Sequence, residues 1–582
     1  MARKHEFFPE WCEQEAPPRS YRSLIKYGDP RGFKHPNLGL FRLLKQSLDM
    51  SDEDFRKPEL CMEPFDVEIP STLGGDHIKA LGSMVGGENL FTDTYNRTRA
   101  SYGAGTIDCL RLRHKIVENI ADAVLCPRSQ QDLEAIVRYC HQYRIPVYVS
   151  GGGSSVTRGK EAVRGGVSLD MSVHLNKVVA FDEANQTVTV QAGIWGPELE
   201  RILNNAPKTL AAERRYTCGH FPQSFDHSSV GGWVVTRGAG QNSTYYGKIE
   251  DMVIAQEYVT PIGVFKTAEY PRSATGPDFD QIMIGSEGTF GILTNVTLRV
   301  CRYAPENTRR FSYLFKNWED GRNACREIMQ AEFGYPSIFR LSDQEETDVA
   351  MRTYHVHGSP ADTLLRCLGY RPMERCLLIG TADGDPDFTR LVARKTKRIC
   401  KRYHAFTLTP FRVTQAWERS RFTDPFMREV LMDYGVMIDT LECAVTWPQM
   451  AGVHEKVRSF IKARPHTICM THLSHAYPQG TNLYFIFVAR MEDINEYLNL
   501  QYGALGAIVK AGAAVSHHHG IGKQTSPWFE EQVGKGWVDV IRSLRSHFDP
   551  NQIMNPGGTL ALDMTEEQKT KRWGFRDSKR NL

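Results

Sequence analysis

No two cysteines in this chain stand at Cys-x-x-Cys spacing, although there are 13 of them. They lie singly from Cys12 to Cys469. An odd, unpatterned set reads as reduced thiols and removes iron–sulfur clusters and zinc ribbons from consideration. Long apolar runs are also missing. The strongest, LYFIFVA at 483–489, has the length of a core strand and falls well short of the roughly 20 residues of a membrane span. Neither sign of charge dominates: 71 Lys and Arg stand against 68 Asp and Glu, a net +3, so no nucleic acid is expected as partner. There is no internal repeat and no low-complexity linker. The amino terminus MARKHEFFPEWCEQE has no apolar signal-peptide stretch, and the closing SKRNL is not Ser-Lys-Leu. The expected location is therefore the cytoplasm or the cytoplasmic face of a membrane, and a peroxisome only in a eukaryotic source.

What is present is an ordinary globular composition, 41% hydrophobic and 24% charged, over 582 residues. That is too long for a single core. Residues 1–115 read as a helical lead-in rich in Pro, Arg and Lys. From 116 the texture changes. PRSQQDLEAIVRYCHQYRIPVYVSGGG holds a capping pattern at Ser129 and Asp132, then Leu133, Ile136, Val137 and Cys140 at helical spacing, then a short strand at 146–149 that runs into glycines. QTVTVQAGIWGPELERIL adds a strand and an amphipathic helix beginning near Pro197. This alternation predicts an α/β domain over 116–302. A second, α+β domain is expected over 303–509, with helices near 318–331 and 385–404. A helical segment, 510–582, carries a histidine run. The fold class expected is α+β.

Three glycine segments fall in the first domain. VSGGGSSVTRGK (149–160) follows a strand, so its amides and serine hydroxyls can face an anion. It is not a Walker loop, because Ser154 stands at the first glycine position and Glu161 replaces the Ser or Thr that would hold magnesium. SSVGGWVVTRGAG (228–240) and IGSEGTFGILTNVTLRV (284–300) are the others. No Gly-x-Gly-x-x-Gly joins a strand to a helix, which disfavours a Rossmann fold. Three such loops in one domain suggest a large nucleotide lying along the backbone.

The run AAVSHHHGIGK (513–523) reads equally well as a solvated loop and as a proton-transfer site. If extended, it would place His517 and His519 on one face and His518 on the other, so three neighbours could not easily close on one metal. On its residues alone, Tyr484 is a core tyrosine in an aromatic strand, and Arg340 and Arg428 are members of surface ion pairs, Arg340 with Asp343 for instance.

PVYVSGGGSSV, GHFPQSFDHSSVGGWVVTRGAG, YYGKIEDMVIAQEYVTPIG, GSEGTFGILTNVTLRV and SHHHGIGK occur in this order. Their combination resembles the FAD-binding flavoproteins related to vanillyl-alcohol oxidase, and within them the alkyldihydroxyacetonephosphate synthases, over roughly residues 90–560. The resemblance implies an α/β FAD domain of two subdomains with an α+β cap domain, and non-covalent FAD. It puts Ser150, Gly151, Gly152, Gly153, Ser154, Ser155 and Val156 on the pyrophosphate. Further FAD contacts would be Gln223, Ser224, Phe225, Asp226, His227, Ser228 and Ser229, then Thr236, Arg237, Gly238 and Ala239, and Glu287, Gly288, Thr289, Phe290, Gly291, Ile292 and Leu293. The catalytic tyrosine would be Tyr484, acting as base. Arg340 would support the flavin or a leaving carboxylate, Arg428 would hold a substrate anion, and His517, His518 and His519 would orient substrate and move protons.

The implied reaction is exchange of the acyl group of acyl-dihydroxyacetone phosphate for a long-chain alcohol through a flavin N5 adduct, in ether lipid biosynthesis. Peripheral membrane contact and a homodimer belong to the same expectation. The alternative is an FAD-linked dehydrogenase or oxidase of a small 2-hydroxy acid. Related D-2-hydroxy-acid dehydrogenases carry His-x-Gly-Asp-Gly-Asn-Leu-His and Glu-His-Gly, whose side chains bind a metal. Here Tyr484 stands at the second of those histidines and His518 at the glutamate, so no metal is expected. Two features depart from the synthase pattern: the Trp- and Gly-rich opening is missing, and KTLAAERRYTCGHFPQ is expanded.

Overall fold

The computed structural model of the chain describes residues 13–491 and 493–571. The charged amino terminus, Cys12 and the closing SKRNL lie outside the described residues.

Local signals act where expected. Ser129 caps the helix Gln130–Tyr143 by accepting from the amide of Asp132, and Leu133, Ile136, Val137 and Cys140 are its buried stripe. The strand Val147–Ser150 follows. It is the edge of a four-stranded sheet in the order Leu90–Phe91, Ala123–Leu125, Val167–Asp170, Val147–Ser150, whose last three strands are parallel. The chain before residue 116 thus supplies an edge strand to this sheet. A five-stranded antiparallel sheet comes next, in the order Val178–Asp182, Thr187–Gln191, Ile292–Arg299, Val253–Thr260, Gly263–Lys266. The helix expected near Pro197 spans Gly196–Asn204, with the proline in its first turn.

The third sheet has seven antiparallel strands: Phe406–Thr407, Arg309–Phe315, Cys376–Ala382, Phe339–Ser342, Thr467–Ser474, Gly480–Arg490 and Val436–Thr446. The helices expected near 318–331 and 385–404 span Trp318–Gln330 and Pro386–Arg402. Successive side chains of a strand point to opposite faces. Leu483, Phe485 and Phe487 are fully buried in one core with Val453, Val457, Tyr497, Leu505 and Ile508 from the helices Trp447–Lys462 and Ile494–Lys510. Tyr484 and Ile486 must face the other way, and that face forms a wall of the cavity described below.

Cysteines among the described residues are free, and most are buried. No described helix is long and apolar enough to cross a membrane.

Candidate active site

A cavity of about 410 Å³ lies where the two smaller sheets meet the open face of the large one. One side is backbone-rich. Gly151 to Val156, Gln223, Ser224, Ser228, Ser229, Thr236, Gly238, Ala239, Glu287, Gly288 and Gly291 to Leu293 all line it. The other is the sheet face, with Arg340, Ile438, Thr440, His472, Ser474, Tyr484 and Ile486, joined by Arg428, His518 and His519. The structure therefore gathers all three glycine segments, both arginines, the tyrosine and two of the three histidines around one space.

Other residues named from the sequence lie off it. Phe225 stacks on Phe422 and Phe290 on Phe548, both inside a core. Thr289 donates to the carbonyl of Ser286. His227 packs edge-on against Tyr27, 3.9 Å between centroids. Asp226, exposed, and Arg237 are absent from the lining too; the Arg237 guanidinium points outward to Gln281. Ser150 stands one layer behind the wall, accepting from Lys160.

Glycine is required where the loop meets its neighbour. A Cβ on Gly152 would sit 2.7 Å from the Cα of Ser228, and one on Gly151 would collide with the Ser229 hydroxyl. Polar groups on the wall are left without partners: both ring nitrogens of His220 and the Oε1 of Gln241. Burial holds His220 neutral, with its pKa down at about 3. A glycine cradle with orphaned polar atoms fits a nucleotide cofactor such as FAD.

Sheet register builds the reactive face. Tyr484 stands opposite Glu442 on one neighbouring strand and opposite His472 on the other, so the three side chains form a row across the sheet. His472 stacks on Tyr484 at 4.9 Å and 17°, and His518 covers the ring at 5.9 Å and 16°. His472 is fixed by Glu346, which accepts from its Nδ1 at 3.0 Å and from Arg340 at 2.6 Å. The ion-pair partner of Arg340 is thus Glu346. Asp343 instead caps the helix Gln344–Thr353 and pairs with Arg458.

Arg428 is different. It is partly buried, donates to the carbonyl of Ala104 at 2.6 Å, and lies 5.4 Å from the centroid of Tyr27. Its Nε has no partner, and it forms no ion pair among the described residues. A partly buried guanidinium with no ion-pair partner on a cavity wall is a ready site for an anionic ligand.

The histidine run is bent, contrary to the extended reading. The amides of His517, His518 and His519 all donate to the carboxylate of Glu442, at 2.6, 3.1 and 3.0 Å, and the Ser516 hydroxyl joins them at 2.8 Å. Alternating strand amides could not converge so; the backbone has curled into a nest around one anion. His517 consequently turns from the cavity, its Nε2 hydrogen-bonded to the Tyr477 hydroxyl at 2.8 Å. His518 and His519 face the cavity.

Glu442, His517 and His518 bring three potential ligand atoms within 4.8 Å of one another, a metal-type grouping where none was expected. Its carboxylate already accepts four hydrogen bonds, so it serves first to anchor the loop. Burial, reinforced by neighbouring histidines and Lys248, keeps His518 neutral with its pKa well below the usual value. Burial pushes the Tyr484 phenol up to about 12, against a hydrogen bond from Thr440 and the charge of Arg340, which lower it.

Sequence reasoning missed Glu442, Glu346, His472, His220, Lys160 and Tyr27. A charged or imidazole residue inside an apolar strand, as in TLECAVT and CMTHLS, was the available signal for Glu442 and His472. For Tyr27 there was none.

Comparison with known proteins gives two matching family models: "FAD binding domain" over residues 121–268 and "FAD linked oxidases, C-terminal domain" over 304–559. The alkyldihydroxyacetonephosphate synthase of Dictyostelium discoideum is 29% identical over 534 residues, 88% of this chain and 85% of that protein. The uncharacterized FAD-linked oxidoreductase YgcU of Escherichia coli (strain K12) is 32% identical over 463 residues, 76% of this chain and 90% of that one. A solved alkyldihydroxyacetonephosphate synthase structure superposes with a TM-score of 0.75 at 26% identity, covering 89% of this chain and 92% of the other.

Proposed function

The chain belongs to the FAD-linked oxidases, and from that premise we propose that it is an alkyldihydroxyacetonephosphate synthase-type enzyme. It would exchange the acyl group of acyl-dihydroxyacetone phosphate for a long-chain alcohol. The observation that carries this reading is Arg428: a partly buried cation with no ion-pair partner among the described residues, on the same cavity as the glycine cradle and a tyrosine flanked by neutral imidazoles. The relatives named as synthases supply the substrate class.

Bound FAD, held non-covalently by the glycine segments, would supply an electrophilic ring that lets an acyloxy group leave without net oxidation. The residues of the chain do the rest. Arg428 anchors the substrate phosphate by charge-assisted hydrogen bonds. Arg340, already neutralised by Glu346, offers remaining N–H groups to the departing carboxylate.

In this reading the substrate proton goes to His518 rather than to Tyr484. With its pKa at about 12 the phenol is protonated at neutral pH, and an arriving phosphate raises it further. The same phosphate raises the pKa of His518 toward neutrality, which makes an imidazole the better base. The Nδ1 of His518 lies 3.1 Å from that of His517, leaving Nε2 to take the substrate proton. Tyr484 then donates its O–H to the substrate. Long-chain substrates reach such a cavity most simply from a membrane surface, so the reading includes a peripheral contact on the cytoplasmic side.

The test is incubation of the purified yellow protein with palmitoyl-dihydroxyacetone phosphate and hexadecanol. Formation of the alkyl ether, detected by mass spectrometry, without lasting loss of the flavin absorbance is expected. Steady bleaching on a 2-hydroxy acid, with no ether product, would overturn it.

A further inference from the structure

Lys160 ends the glycine segment that fails the Walker pattern, and the structure returns its side chain to that segment. It is only 8% exposed and lines the cavity. Its Nζ donates to the Ser150 hydroxyl and to the Arg99 carbonyl, each at 3.1 Å, and lies 3.6 Å from where a Cβ on Gly153 would be. Both partners are neutral, and among the described residues no carboxylate comes within ion-pair distance. The charges that face it are Asp170, Asp108 and Arg99. Asp170 is committed to the amide and hydroxyl of Ser172, and Asp108 to Arg111. A buried ammonium satisfied only by neutral acceptors carries an uncompensated charge. It keeps one N–H, and the open side of Gly153, at φ 79°, is the space next to it.

We propose that Lys160 is the counter-ion of the cofactor's diphosphate: its ammonium reaches past Gly153 to a phosphate oxygen held by the amides of 151–156. This inference rests on FAD being the ligand of the cradle but not on the synthase reaction. The loop does with a lysine at its far end what a phosphate-binding loop does with the lysine of its own signature. Glu161 makes this reach reproducible. Its carboxylate accepts from Arg111 at 2.6 Å, Asn119 at 3.0 Å and Arg158 at 2.8 Å, which pins the backbone next to Lys160. A charge-assisted hydrogen bond to a buried phosphate corresponds to roughly tenfold to a hundredfold in affinity.

The experiment uses apoprotein prepared from the full chain, with flavin fluorescence quenching as readout. FAD is titrated directly, and ADP and adenosine are titrated as competitors. In Lys160→Met the dissociation constant for FAD should rise at least tenfold, and the preference for ADP over adenosine should fall by a similar factor. The apoprotein should melt no lower than the unsubstituted one, since the variant removes an uncompensated charge. An unchanged ADP-to-adenosine preference overturns the proposal, whether FAD binding is kept or lost for both ligands alike. Because the readout is binding, a protein that fails to make ether lipid while showing this pattern would sink the proposed function and leave Lys160 in place.

Discussion

Glu442→Gln tests whether one carboxylate shapes the reactive loop. The side chain is 2% exposed and accepts four hydrogen bonds, three of them from consecutive amides. Glutamine keeps the volume and one oxygen. If that oxygen takes the place of Oε1, the bonds from Ser516, His518 and His519 survive as neutral ones. Each then loses about 1 kcal/mol, the difference between charged and neutral acceptors. The new NH₂ group faces the amide of His517, donor against donor, leaving one buried N–H unsatisfied at a further cost of about 1–3 kcal/mol. The total, on the order of 4–6 kcal/mol, corresponds to roughly a thousandfold or more easier local opening of 516–520. Amide hydrogen exchange read at His517–His519 should show that loss of protection, while amides of the strand Val147–Ser150 keep theirs. Activity should fall with His518 displaced, and FAD occupancy should remain. Unchanged exchange at these three amides would refute the claim that Glu442 builds the loop.

His518→Gln should lower the rate about 10²- to 10⁴-fold as a lost general base, and Tyr484→Phe only about tenfold as a lost hydrogen bond. Single-turnover assays on yellow, folded variants check the order, and a larger loss for Tyr484→Phe would return the base role to the tyrosine. Gly152→Ala should abolish FAD retention, because even a methyl meets the backbone of Ser228; a variant that purifies fully yellow contradicts the cradle. Glu161→Gln addresses acid stability. Burial pushes this carboxyl up, but Arg158 and Arg111 outweigh it and hold the pKa at about 2, against 4.5 ordinarily. A depressed folded-state pKa stabilises above the unfolded value, so about 3 kcal/mol should be present at neutral pH and lost as pH falls from 4.5 toward 2. In urea melts, the gap between the native protein and the variant should narrow from pH 7 to pH 3, and a constant gap would refute the pairing.

What was legible in the sequence was local. A serine cap with a 3.6-residue stripe gave the helix Gln130–Tyr143, and a β-branched run ending in glycines gave the strand before the cradle. Tyr484 was harder. In LYFIFVA the period-2 alternation is hidden because both faces of the strand are covered, one by helices and the other by the cavity wall. Composition alone therefore could not say that Tyr484 and Phe485 face opposite ways, and only the resemblance singled out the tyrosine. Its neighbours were beyond local reach. Glu442 and His472 meet it through strand pairings 42 and 12 residues away along the chain. Arg340 was open to pairing with Asp343 on proximity, but Asp343 is a helix cap whose carboxylate is turned to the amide of Glu346, so the arginine goes to Glu346 itself.

The charges around the cavity bear on which chemistry the protein performs. Arg340 is neutralised by Glu346, whereas Arg428, partly buried, and Lys160, buried, stand on the cavity wall with neutral hydrogen-bond partners only. Two cations without an ion-pair partner on one cavity are the groups to which anionic ligands would bind. One anion is the diphosphate of FAD. The second must come with the substrate. A small hydroxy acid and a phosphorylated ketone each bring one, so the count alone does not separate them; the partners of the second cation do. The metal-dependent oxidation of a hydroxy acid needs a free carboxylate among the histidines. Here the nearest one, Glu442, is spent on three backbone amides and a serine. With that ligand committed to the loop, the anion at Arg428 is bound by charge and hydrogen bonds alone, the arrangement suited to a phosphate whose neighbouring carbon loses a proton to an imidazole.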